Sequence, residues 1–204
     1  MRARRILLTG FAPFGGEAVN PSWEVAKALD GRTLGEMTVY AKRLPVDCKR
    51  AAVAVAEEID RARPVAVLGL GQAGGRPALS LEQIAINLVD PRRTHENTGS
   101  LDRKPVIAAG PDAYFSRLPL KPIIETLHDH RIPAGLSLSA GIYACNAVMY
   151  AALHALRRRP RVPVGFIHLP YAIAQTIHRT APSMSIEVMV TGVELALQAI
   201  SKRI

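Results

Sequence analysis

The chain has 204 residues, a length typical of one domain. Hydrophobic residues make up 49% of it and charged residues 21%, which provides enough apolar material for a core and argues against disorder. The formal net charge of +9 would permit binding to nucleic acid or to an anionic membrane. The excess Arg and Lys residues, however, fall in short clusters at an end of the chain or beside predicted helix termini, where cations are common. The charge by itself therefore indicates a solvated basic surface and no particular partner.

The two cysteines, Cys48 and Cys145, are too few for a disulfide framework. No apolar run reaches the roughly 18 residues that a membrane-spanning helix needs. The apolar stretch Ile6–Leu8 near the start is short and leads into a Gly/Pro loop, unlike a signal peptide. We therefore expect a cytoplasmic protein with two free thiols, with neither a membrane nor a nucleic acid as partner.

Short apolar runs alternate along the chain with amphipathic stretches that have helical spacing. In chain order, the predicted elements are strand Arg5–Thr9, a helix from the N-cap Ser22 to Gly31, strand Met37–Leu44, helix Cys48–Arg63, strand Val65–Gly69, the extended segment Leu79–Val89, a helix within Pro119–Arg131, strand Gly135–Ser139, helix Asn146–Arg158, strand Val162–His168 and helix Pro182–Arg203. This alternation predicts an α/β protein, a three-layer α/β/α sandwich with a largely parallel mixed sheet. We see no linker, and we expect one catalytic domain over residues 1–204, with Arg92–Lys104 as a polar excursion from the core.

Gly69–Gly74 matches the GxGxxG pattern after a good strand, and Asp90 follows at about the expected distance. A dinucleotide site, however, also needs a helix that opens at these glycines, so that the helix N-terminus meets the pyrophosphate. The residues that follow alternate like a strand instead, from Leu79 onward. A nucleotide-binding module that uses Gly69–Gly74 is therefore kept only as an alternative hypothesis.

Two other chemistries have weak support in the sequence. The segment Gly135–Ser139 lacks the final glycine of the GxSxG nucleophile elbow. His128 and His130 are two residues apart on a predicted helix and point to different faces, and no CxxC or HExxH pattern occurs. We therefore expect neither a serine hydrolase nor a metal site.

Cys145 lies between a predicted strand and a predicted helix start, where unpaired N–H groups favour a thiolate. His168 ends another predicted strand, which places it at the same edge of a parallel sheet, and Glu82 lies in an apolar segment where an acid needs a partner. A nucleophile, a base and an orienting acid are the components of covalent catalysis. From position alone, a buried structural cysteine and a surface glutamate remain open alternatives.

Several separated motifs occur together and in a fixed order. They are Gly10–Gly16 with Asn20–Trp23, Gly71–Arg76 with Glu82 and Ala85–Asn87, Ser139–Gly141 leading to Cys145–Asn146, and Gly165–Pro170. Together they resemble the pyroglutamyl-peptidase I (pyrrolidone-carboxylate peptidase) family, over about Ile6 to Pro170 and in the family's order of Glu, Cys and His.

The resemblance implies a cysteine exopeptidase that removes N-terminal 5-oxoproline from peptides. Cys145 matches the nucleophile, His168 the general base and Glu82 the residue that orients this base. The substrate-binding positions that it matches are Phe11 and Phe14, which line the lactam pocket, and the polar residues Asn20, Gln72 and Arg92. The backbone N–H of Cys145, assisted by Arg92, is the expected oxyanion donor.

The resemblance also implies N-terminally pyroglutamylated peptides as substrates, a homodimer or homotetramer, and no cofactor. Two further hypotheses stay open beside it. One is a catalytically inactive paralogue with the same fold, and the other is a basic nucleic-acid-binding domain with strongly salt-dependent binding.

Overall fold

The computed structural model describes residues 4–90 and 103–204. The strands are β1 (Arg4–Phe11), β2 (Thr33–Leu34), β3 (Met37–Leu44), β4 (Ala66–Gln72), β5 (Leu79–Glu82), β6 (Ile84–Ile86), β7 (Ala113–Phe115), β8 (Ala134–Ser137), β9 (Val164–Leu169), β10 (Tyr171–Ala172) and β11 (Ser183–Met184). The helices are α1 (Pro21–Leu29), α2 (Cys48–Ala62), α3 (Leu120–Asp129), α4 (Ala144–Ala155) and α5 (Ile186–Ser201), with a 3₁₀ turn at Ile173–Gln175.

The main sheet has seven strands in the order β2-β3-β1-β4-β9-β5-β8. Strands β3, β1, β4 and β9 are parallel neighbours, whereas β2 runs antiparallel to β3. Strand β5 runs antiparallel to β9 and parallel to β8, so β5 and β8 form a reversed edge. The predicted largely parallel mixed sheet is confirmed.

Helices cover both faces of this sheet, which confirms the three-layer α/β/α architecture. Alternate residues of β1 separate the two cores: Ile6 and Leu8 pack on one face, and Leu7 packs on the other. The first core contains buried residues of α1, α3 and α5, and the second contains those of α2 and α4. Because the central strands are buried on both faces, they read as continuous apolar runs in the sequence.

The first helix begins earlier than the sequence predicted. Asn20, not Ser22, is the N-cap: its Oδ1 accepts hydrogen bonds from the Ser22 backbone N–H at 3.1 Å and from the Ser22 hydroxyl at 2.7 Å. Pro21 then occupies the first helical position, where its missing N–H costs nothing. The Ser22 hydroxyl instead accepts a hydrogen bond from the Phe11 backbone N–H at 3.0 Å, which ties the helix to the end of β1.

Other predicted boundaries also move. Helix α5 begins at Ile186, after the N-cap Ser185, because residues 183–184 pair with β10 instead of entering the helix. The extended segment Leu79–Val89 is split between two sheets: β5 belongs to the main sheet, whereas β6 pairs with β7 in a separate two-stranded antiparallel sheet. Within the described residues, no helix is long and apolar enough to cross a membrane.

Candidate active site

The chemically active side chains lie on the sheet face that α4 covers. In β9, Ile167 and Leu169 pack into the opposite core, so Phe166 and His168 face α4. Leu79 and Leu81 of β5 also pack into the opposite core, and the same alternation turns Glu82 toward α4. Because side chains alternate between the two faces along a strand, His168 and Glu82 both point to the sheet face that α4 covers.

Two glycines of β4 leave room for this layer. A Cβ atom at Gly69 would lie 2.3 Å from the Phe166 ring, and one at Gly71 would lie 2.7 Å from Cys145 Sγ. Strand β4 continues through Gln72, and no helix opens at Gly71. The glycines of Gly69–Gly74 thus accommodate a ring and a thiol, and the helix that the nucleotide-binding alternative requires is absent from this described segment.

Cys145 is the second residue of α4, whose N-cap is Tyr143. The helix begins two residues before the predicted start at Asn146, so the thiol lies inside the first turn, where backbone N–H groups lack acceptors within the helix. Asn146 anchors this turn: its Oδ1 accepts from the Ile86 N–H at 2.9 Å, and its Nδ2 donates to the carbonyls of Ile86 and Leu88, both at 2.9 Å.

The meeting of Cys145 and His168 has a different cause from the one expected. The sequence predicted that the strand before Cys145 (β8) and the strand that carries His168 (β9) end at the same edge of the sheet. This expectation is wrong, because β8 runs antiparallel to β9. The connection after β8 turns at Gly141, which has a φ of 74°, and brings α4 back over β4. Cys145 and His168 line the same pocket as a result.

The expected thiolate is not the resting form of Cys145. Burial, and after it the negative charge of Glu82, raise the pKa of this half-buried thiol to about 12. These effects outweigh the helix N-terminus, whose field lowers a thiol pKa. Cys145 therefore rests as a thiol at neutral pH and needs a base to become nucleophilic.

His168 and Glu82 form a buried hydrogen-bonded pair. His168 Nδ1 lies 2.7 Å from Glu82 Oε1, with His168 4% exposed and Glu82 fully buried. An ionised carboxylate only accepts hydrogen bonds, so Nδ1 carries the proton and donates it to Oε1. The other ring nitrogen, Nε2, then keeps its lone pair and is able to accept a proton.

The pKa shifts of the pair agree with this assignment. Burial alone would raise the pKa of Glu82, but the hydrogen bond and charge of His168, together with the nearby polar side chains of Ser137 and Arg76, hold it below its ordinary value. Burial lowers the pKa of His168 and outweighs the opposing effect of Glu82. At neutral pH the pair is thus a carboxylate and a neutral imidazole, the form that a general base requires.

Arg76 belongs to this cluster, although we did not single it out from the sequence as a site residue. Its Nη1 lies 2.9 Å from Glu82 Oε1 and 3.3 Å from Ser137 Oγ. The signal that could have identified it is the need of a buried acid for a cationic partner, since Arg76 follows β4 closely in the Gly71–Arg76 motif.

A pocket of about 340 Å³ opens above Cys145 and His168. Phe11 and Phe14 contribute apolar wall, and Gln72 contributes a polar side chain. Its volume is in the range of small-molecule sites. The remaining lining residues are Val46, Ala73, Gly74, Arg76, Ser139, Ala140, Gly141, Tyr143 and Ala144.

Of the other two predicted substrate-binding residues, the structure describes only Asn20, and Asn20 does not line the pocket. Asn20 is 1% exposed and caps α1, and its Nδ2 donates to the Ala12 carbonyl at 3.1 Å. Through this hydrogen bond, Asn20 supports the loop between Phe11 and Phe14 from the protein interior. Arg92 lies outside the described residues.

Comparison with known proteins agrees with the geometry. A family model described as pyroglutamyl peptidase matches residues 4–203. A pyrrolidone-carboxylate peptidase of Yersinia pestis is 45% identical over 197 residues, which cover 95% of this chain and 91% of that protein.

Solved structures with the same fold include a mutant pyrrolidone carboxyl peptidase of Pyrococcus furiosus, at 38% identity and a TM-score of 0.91 over 98% of this chain and 99% of that one. Pyroglutamyl peptidase I of Bacillus amyloliquefaciens is 36% identical, with a TM-score of 0.89 over 97% of this chain and 95% of that one. Because the family model and the relatives span nearly all of its length, this chain belongs to the pyroglutamyl peptidase family.

Proposed function

We propose that this chain is a cysteine exopeptidase that hydrolyses the amide bond after an N-terminal pyroglutamyl residue of peptides. The observation that carries the proposal is a buried carboxylate–imidazole pair, Glu82 and His168, in the same pocket as a thiol on the first turn of a helix. Cys145 is the nucleophile, His168 the general base and Glu82 the residue that orients His168.

The reaction proceeds by acyl transfer. His168 Nε2 accepts the Cys145 proton as Sγ attacks the pyroglutamyl carbonyl, and a C–S bond forms. The imidazolium then protonates the leaving amine, the C–N bond breaks, and a thioester remains. His168 then deprotonates a water molecule whose oxygen attacks the thioester carbonyl. The C–S bond breaks, pyroglutamate is released, and the proton passes from His168 back to the Cys145 sulfur. The Cys145 backbone N–H, which has no acceptor within the helix, stabilises the oxyanion, with Arg92 as a second donor.

The pocket suits a neutral lactam. A pyroglutamyl residue has no ammonium group, so binding requires apolar walls and partners for the ring C=O and N–H. Phe11 and Phe14 supply the walls, and Gln72 supplies a polar contact. Asn20 acts on the substrate through the Phe11–Phe14 loop that it supports. Proline lacks the lactam carbonyl, so it would leave these polar groups unpaired and is rejected.

Release of aminomethylcoumarin from its pyroglutamyl derivative in reducing buffer tests the proposal. We expect the wild type to cleave this substrate and not prolyl-aminomethylcoumarin, and Cys145→Ser to abolish cleavage. Cys48→Ser is the matched control, because Cys48 lies in the core between α2 and α4 and outside the pocket. A folded, reduced wild type that fails to cleave would favour the inactive-paralogue alternative.

The remaining properties are proposed from the family resemblance and the composition. The substrates are N-terminally pyroglutamylated peptides, the assembly is a homodimer or homotetramer, and the protein acts in the cytoplasm as one catalytic domain over residues 1–204. Light scattering after gel filtration tests the assembly, and a single cooperative unfolding transition is the result expected for one domain.

A further inference from the structure

Arg76 connects the pocket surface to the buried carboxylate. Its side chain is 35% exposed, whereas that of Glu82 is fully buried. Arg76 Nη1 and His168 Nδ1 bind the same oxygen, Oε1 of Glu82, at 2.9 and 2.7 Å. Arg76, Glu82 and His168 are therefore connected by hydrogen bonds from the pocket wall to the imidazole.

The sharing of one oxygen has an electrostatic consequence. A buried carboxylate needs a cation, and among the described residues only His168 would remain in contact with Oε1 as a group that could become cationic if Arg76 were removed. The imidazole would then gain a proton and lose its capacity as a base. Because the guanidinium stays charged, it neutralises Glu82 without taking the lone pair of His168.

We propose that Arg76 is a positioning residue: by pairing with Glu82, it keeps His168 neutral and holds the carboxylate where it orients the imidazole toward Cys145. This inference rests on the proposed function. It assigns a role to a residue outside the Glu82, His168 and Cys145 set.

Two further observations support this role. The first concerns the pKa of His168: burial lowers it and Glu82 raises it, and the positive charge of Arg76 acts in the same direction as burial. The Ser137 hydroxyl, 3.3 Å from Arg76 Nη1, is a second contact that fixes the guanidinium at the Glu82 end of β5. The position of Arg76 is thus held by two elements, β5 and β8.

The test compares Arg76→Gln with Arg76→Lys, which keeps the charge. Arg32→Gln is the matched control, because Arg32 also pairs with a glutamate, Glu194, but outside the pocket. In Arg76→Gln we expect kcat for pyroglutamyl-aminomethylcoumarin to fall about tenfold or more, with KM nearly unchanged. The acidic limb of its kcat/KM profile should move up by about one pH unit.

Arg76→Lys should return the acidic limb close to its wild-type position, and Arg32→Gln should not move it. An unchanged limb in Arg76→Gln would overturn the proposal. An increase confined to KM would also overturn it, since Arg76 would then contact substrate and not position the base.

A second measurement does not depend on peptidase activity. NMR titration of the His168 ring protons, assigned with His168→Gln, should give a higher pKa in Arg76→Gln than in the wild type or in Arg32→Gln. If the wild type fails to cleave the substrate, the proposed function fails, and this titration still decides the role of Arg76. Equal His168 pKa values in wild type and Arg76→Gln would refute that role.

Discussion

Gly71→Ala is the substitution that most directly tests the placement of the thiol. A Cβ atom at this position lies 2.7 Å from Cys145 Sγ and 2.8 Å from Phe166 Cζ. Gly71 has ordinary strand geometry, so an alanine meets no backbone strain there. The whole effect of the methyl group must therefore come from these contacts.

The contact distances determine the expected size of the effect. Carbon atoms pack best at about 3.5–4.0 Å, so the thiol or the ring must move by nearly 1 Å. Overpacking of this kind costs about 1–3 kcal/mol of unfolding free energy. A displacement of about 1 Å at a reacting group costs about 100-fold in rate. We expect Gly71→Ala to remain folded, with kcat/KM reduced about 100-fold.

The assay is cleavage of pyroglutamyl-aminomethylcoumarin, combined with urea unfolding of the same preparations. Gly135→Ala is the matched control, because a Cβ atom there meets no atom of residues 4–90 or 103–204 within 4 Å, and its kcat/KM should equal that of the wild type. Wild-type kcat/KM in a folded Gly71→Ala protein would refute the reasoning, since the reacting thiol would then not lie against β4.

Three other outcomes follow from the geometry. Glu82→Gln removes the acceptor charge that orients His168, and kcat should fall by at least about 100-fold with the circular-dichroism spectrum unchanged; a fall confined to KM would contradict this. His168 has a lowered pKa, so the unfolded state binds more protons below about pH 6.5, and the free energy of unfolding should decrease from pH 7 to pH 5. Urea titrations of His168→Gln should show a smaller decrease; an equal one would exclude His168 as its source. Asn20→Ala removes the N-cap of α1 and should lower the free energy of unfolding, measured with urea, by about 1 kcal/mol. It should also raise KM, because Asn20 supports the Phe11–Phe14 loop. An unchanged free energy of unfolding would refute the capping role.

Much of the fold was predictable because its signals are local. The strands β3 and β9 and the helix α2 lie close to their predicted bounds, since continuous apolar runs and helical spacing are properties of neighbouring residues. Helix α1 starts earlier than expected because Asn20 competed with Ser22 as the cap, and either side chain is suitable by type. Strand β7 was missed because three residues carry too little pattern.

The candidate site divides in the same way. The sequence by itself determined the alternation of strands and helices and the motifs that contain Glu82, Cys145 and His168. Only the tertiary structure decided the reversed direction of β5 and β8, the thiol form of Cys145 and the contact of Arg76 with Glu82. These features depend on burial and on contacts between residues far apart in the chain, and no local pattern records either.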